Sequence, residues 1–177
     1  MLVNWPKALG FVWQGDNDGA VNDQAQGEKF ATSRGITQTT WDDAVDSGVV
    51  TGELSSATSA QCATILKTNY WDFLACDQVS SGCDLVIFNN GMVCGSGHAA
   101  RLVQRIVGTV ADGKIGPRTL LAIRGYGQQH FIDEMTTADE EYYAALANAP
   151  LYLRGWDRRE VDAKKLAYQL AGLSNSV

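Results

Sequence analysis

Several things are scarce in this sequence, and each absence removes a class of function. Lys and Arg total 14 against 20 Asp and Glu, a formal charge of −6. Phosphate neutralisation needs clustered cations, so nucleic acid is excluded as a partner. No run of 18 apolar residues occurs, so no membrane span is expected, and Met1 to Lys7 lacks the basic and apolar regions of a secretory signal. There is no Cys-x-x-Cys, and Cys94 with His98 offers only two ligands at helical spacing, so no metal site is expected. His98 and His130 lack the Ser or Cys context of a nucleophile pair and read as structural residues. No cofactor motif, internal repeat or low-complexity tract is visible, which leaves at most Ser174 to Val177 outside an ordered fold.

What remains is a 177-residue chain, 45% apolar and nearly free of interior proline, long enough to bury one substantial core. Its four cysteines, Cys62, Cys76, Cys83 and Cys94, crowd into one stretch. An even, clustered set suggests one or two disulfides, with Cys76 and Cys83 the easiest pair to close; buried thiols are the alternative.

Apolar periodicity predicts mostly helix. Asn4 to Gln14 reads as a short helix ended by Gly15-Asp16-Asn17-Asp18-Gly19, and Ala20 to Ile36 as an irregular or β-like excursion. Thr37 is placed to cap a helix, Ser55 to Leu74 reads as a longer one, Asp77 to Gly82 as a loop, and Leu85 to Phe88 as a buried apolar run. Helices follow over Ala99 to Val107, from Pro117, over Gln128 to Asn148 and from about Arg158 to Gly172.

Four segments, in order, carry a family resemblance. They are Phe11-Val12-Trp13 with Asp16-Asn17-Asp18-Gly19 and Thr32-Ser33-Arg34-Gly35-Ile36-Thr37; Trp41, Tyr70-Trp71, Leu85 to Gly91 and Ala99 to Gln104; Asp112-Gly113-Lys114-Ile115-Gly116-Pro117-Arg118-Thr119; and Tyr142-Tyr143 with Leu153-Arg154-Gly155-Trp156-Asp157-Arg158-Arg159. Together they resemble glycoside hydrolase family 108, the phage-type N-acetylmuramidases of the lysozyme superfamily, with their peptidoglycan-binding-type C-terminal region. Most of these residues are expected to hold the fold: Gly116-Pro117 starts a helix, Tyr142-Tyr143 is a core pair, and Gly155-Trp156 an anchored turn.

The resemblance implies a mainly α, lysozyme-like fold with a small irregular or β lobe after the first helix. It implies a catalytic region over residues 1–108 and a helical peptidoglycan-binding-type region over 109–177, packed on it as one unit. It further implies a monomer that binds and cleaves peptidoglycan strands in the periplasm or wall, released by a holin, by lysis or from a virion, without a cofactor. The family's proton donor is a Glu at the end of the first helix, in E-G-G-Y or E-N-D-G, and the matching position here is Asp16, with Asp18 one register away. Asp is about 1.5 Å shorter and intrinsically more acidic, and both changes weaken a general acid. Thr32 is implied as a water-orienting group, and Glu28 as a displaced acid in a loop that has lost the family's paired glycines. Asp18, Asp23, Ser33 and Asn90 are the implied substrate-binding positions. The alternative is a lysozyme-like protein that binds wall glycan or another protein without cutting.

Overall fold

The computed structural model describes residues 4–14, 32–145 and 149–174, with the side chains of 32–33 and 149–157 set aside. The first helix, α1 (Trp5–Gln14), turns Ala8 and Val12 inward. It is pinned at its start by Asn4, whose amide donates to buried Asp84 (2.8 Å). After it comes a two-stranded antiparallel hairpin, β1 (Thr32–Ser33) and β2 (Ile36–Thr37), in register Thr32 to Thr37 and Ser33 to Ile36. Both residues of its turn have positive φ, 51° at Arg34 and 77° at Gly35. That combination matches the right-handed strand twist and gives the Gly of Thr-Ser-Arg-Gly-Ile-Thr its physical reason.

Thr37 also caps α2 (Gln38–Asp46), its hydroxyl accepting from Thr40 N (3.2 Å), as expected. The predicted helix over Ser55 to Leu74 is instead broken in three. A 3-10 turn (Leu54–Ser56) leads to α3 (Ser59–Leu66), which opens with a Thr58/Gln61 capping box and widens into a π-helical turn (Lys67–Asp72). That turn places Trp71 in a three-ring cluster with Trp5 and Phe88, all edge-on with centroids 5.5–5.6 Å apart. Lys67, at the start of the widened turn, pairs with Asp72 and with Asp77 (3.5 Å). The expected loop over Asp77 to Gly82 overlaps a further 3-10 turn (Cys76–Gln78).

The centre of the molecule is α4 (Cys83–Cys94), whose residues Cys83 to Gly91 are all buried. It packs against α1, α5 (Ser96–Ile106), α7 (Gln128–Ala144) and α8 (Ala149–Ala171). Pro117 opens α6 (Pro117–Tyr126) at its first turn, as its fixed φ predicts. The final helix begins nine residues before the predicted Arg158, so Gly155-Trp156 lies within helix and not in a turn. The fold is mainly α, with one continuous core spanning α1 through α8. No described helix is long and apolar enough to cross a membrane.

The disulfide expectation is corrected: Cys76, Cys83 and Cys94 are thiols. Cys83 and Cys94 stand at opposite ends of α4, about 16 Å apart along its axis. The Cys83 thiol faces the Gln128 carbonyl on α7 (4.0 Å), and that of Cys94 donates back to Asn90 O (3.1 Å). Burial, and then the Asp84 charge, raises the Cys83 thiol to about 12, while burial pushes Cys76 well above the usual thiol range. Both are inert core side chains at neutral pH.

Candidate active site

The stretch carrying Asp16, Asp18, Asp23 and Glu28 lies outside the described residues, which include its two flanks. On one side α1 ends at Gln14, two residues before Asp16. On the other, Thr32 and Ser33 form β1 and are paired through the backbone with β2. The flanks meet directly: the Arg34 guanidinium lies over the Trp13 ring, 5.1 Å from its centroid. This cation–π contact joins the last turn of α1 to the hairpin turn. Trp13 Nε1 is buried and has no acceptor among the described residues.

Beyond the hairpin, α2 and the following chain enclose a cleft of about 400 Å³ lined by Gln38, Asp42, Val45, Asp46, Gly52 and Glu53. Its floor is fixed by buried Trp41, whose indole donates to Gly52 O (3.0 Å). Three carboxylates and an amide around an open cleft offer acceptors and donors to hydroxyl-rich ligands. Sequence reasoning missed this cleft. Asp42 and Asp46 lie one helical turn apart, but Glu53 joins them only through the chain reversal after α2.

Asn90, expected to contact substrate, does not face a cleft. It is 1% exposed, and its amide donates to Asp139 on α7. Its neighbour Asn89 donates to both oxygens of buried Glu160 on α8 (2.9 and 3.2 Å). These asparagines bind helices together, which is why two polar residues sit in the middle of the most buried helix.

The Asp112 to Thr119 motif is likewise spent on its own turn. Gln104, 1% exposed on α5, donates to Asp112 Oδ1 (2.7 Å) and Lys114 O (3.0 Å) and accepts from Gly113 N (2.8 Å). Asp112 in turn accepts from Lys114 N (2.9 Å), and the Gln104 amide, more than any other group, holds its carboxyl below the usual range. We expect Gln104→Ala to destabilise the fold by about 2–4 kcal/mol in urea unfolding, because it strips a buried hub of several hydrogen bonds. An unchanged midpoint would show that the turn holds itself.

Residues 12–95 match the family model described as glycosyl hydrolase 108, and residues 98–161 match the one described as "Predicted Peptidoglycan domain". The N-terminal part of the chain is thus similar to the glycosyl hydrolase 108 family, and the part that follows to the peptidoglycan domain. The fold of the chain is also that of SagA from Brucella abortus, with a TM-score of 0.84 and 24% identity over 100% of both chains. Among curated protein sequences none matches it. The chain is thus a mainly α protein in which a region matching a glycoside hydrolase model precedes one matching a peptidoglycan model, and together the two matches support a peptidoglycan hydrolase in general terms. Within the hydrolase match fall the last turn of α1, the hairpin, the cleft beside α2 and the central helix α4. The peptidoglycan region takes in most of α5, then α6, α7 and the first part of α8.

Proposed function

We propose that this protein is a muramidase of the endolysin kind. It would cleave the β-1,4 bond between N-acetylmuramic acid and N-acetylglucosamine, with Asp16 as proton donor to the leaving glycosidic oxygen. The observation that carries the reading is the closed Trp13–Arg34 contact, which ties the end of α1 to the hairpin turn. Asp16 follows that contact by three residues, so its backbone lies within about 11 Å of Trp13 by chain length alone. A lysozyme-like site needs its acid at this end of the first helix, in surroundings that keep the carboxyl protonated. The second group orients water or faces the developing positive charge. Thr32 at the base of the hairpin fits the first task, and Glu28 or Asp23 the second.

Substrate strands enter through the cleft beside α2, where Asp42, Asp46 and Glu53 accept from sugar hydroxyls. Action takes place in the periplasm or wall after release by a holin, by lysis or from a virion. The second reading, glycan binding without cleavage, is favoured by one feature, the shortened side chain at position 16.

One experiment separates the two. Purified protein is added to chloroform-permeabilised Gram-negative cells, turbidity is followed, and the soluble products are analysed for new reducing ends. Clearing with N-acetylmuramic acid at the reducing end is expected. Binding to isolated wall without new reducing ends would replace the hydrolase by the binding protein.

A further inference from the structure

Asp139 on α7 and Glu160 on α8 are each 1% exposed and hydrogen-bond to one another. Two carboxyl groups in such contact, away from water, resist carrying two charges, so a single proton serves both. The rest of the cluster fits a pair with one negative charge. Asn89 donates twice to Glu160, the Tyr143 hydroxyl donates to Glu160 Oε1 (3.3 Å), and Asn90 donates to Asp139. Arg159 is present but donates its Nε to Asn89 Oδ1 (3.0 Å).

The cluster is a seam between the two matched regions. Asn89 and Asn90 belong to residues 12–95; Asp139, Tyr143, Arg159 and Glu160 belong to residues 98–161. It also reaches α1, because the Arg159 guanidinium stands 5.9 Å from the Phe11 ring centroid.

We propose that the Asp139–Glu160 pair is a pH-sensitive latch between the hydrolase and peptidoglycan regions. With one proton shared, α7 and α8 close onto α4. Without it, two buried carboxylates oppose each other and the seam loosens.

Burial, then the charge of Glu160, raises Asp139 to about 8, and burial raises Glu160 as well. The other groups facing the pair are Asn89, Asn90 and Cys94 from α4, Arg159 from α8 and Tyr143 from α7. Burial raises both Cys94, to about 12, and Tyr143. From α5, Arg105 acts on Cys94, and His98 packs on Tyr142 (5.9 Å). A folded value above the unfolded one means that the shared proton stabilises fully below about pH 4. That stability is lost as pH rises through the folded value of about 8.

The test is urea unfolding of the full chain from pH 4 to 9, wild type against Asp139→Asn. The amide reproduces the protonated state, accepting from Asn90 and donating to Glu160, with no proton to lose. Between about pH 5 and 7 the wild-type unfolding constant should gain up to about tenfold per pH unit relative to the variant, the linkage of one proton. After correction for the base-catalysed rise in intrinsic exchange, protection of the α7 and α8 amides should fall with rising pH further in the wild type than in the variant. Parallel pH dependences for the two proteins would overturn the latch. If the variant does not fold, carboxyl 13C shifts of the wild type decide: one member of the pair still protonated at pH 6 supports it, and both ionised there refutes it.

Discussion

Asp16→Asn is expected to lower glycan hydrolysis by at least a hundredfold while leaving urea unfolding and wall binding at wild-type values. An amide of the same size has no proton to give, and a positioned general acid contributes on the order of 10²–10⁴ in rate. Asp16→Glu is the complementary change. It extends the carboxyl by about 1.5 Å and raises its intrinsic pKa from about 3.9 to about 4.3. In a cleft of the usual family shape, activity should hold or rise. If the loop bearing Glu28 to Phe30 has closed on the shorter residue, activity should fall, because a misplacement of about 1 Å costs about a hundredfold. Wild-type hydrolysis in Asp16→Asn would remove Asp16 from the mechanism and pass the role to Glu28. Both variants are read by reducing-end release, so a change in wall binding alone does not imitate the effect.

The second large effect is expected at Gly82, the residue before α4. Its φ is +87°, and a Cβ there would lie 2.3 Å from the Ala167 carbonyl oxygen and 3.1 Å from the Ala167 carbonyl carbon and Ala171 Cβ, all on α8. No flexible side chain can yield, since the closest atom is helix backbone. Gly82→Ala should therefore destabilise by about 2–5 kcal/mol, combining left-handed backbone strain with overpacking. Urea unfolding measures the loss. Exchange protection in α8 should fall furthest, because α8 is the element that must move away. A variant as stable as wild type would show that α8 is not seated against the start of α4.

The Thr32 to Thr37 and Asp112 to Thr119 motifs show how a residue pattern can be recognised from the sequence while the task of each residue is read only from its surroundings. In the first, Gly35 is required by a turn with two positive φ values, and Arg34 reaches back to Trp13. In the second, Asp112 and Gly113 are absorbed by Gln104 from another helix. A motif's spacing reports that these residues are needed together. It does not report whether a ligand or the protein itself takes their hydrogen bonds.

Local chemistry was enough to read α1 from its apolar spacing, the start of α2 from Thr37, the start of α6 from Pro117, and most of α7 from a stripe of Phe131, Met135, Tyr142 and Leu146. Each of these signals acts within a few residues and survives in any environment.

Other features depend on partners distant in sequence. Helix α4 is buried on every side, so no polar face gives it a period, and four apolar residues read equally as strand or helix. The early start of α8 overrides Gly155. Cys76 and Cys83, close in sequence, are both buried thiols. Asn89 and Glu160 stand 71 positions apart and Asn90 and Asp139 49 apart, so nothing local announces them as a network. The amino-acid sequence by itself determined most of the helical segments and which family the chain resembles, because those rest on short-range spacing and motif order. Which acids line an open cleft and which are buried was decided only by tertiary packing, since burial and like-charge contact arise when distant helices close on one another.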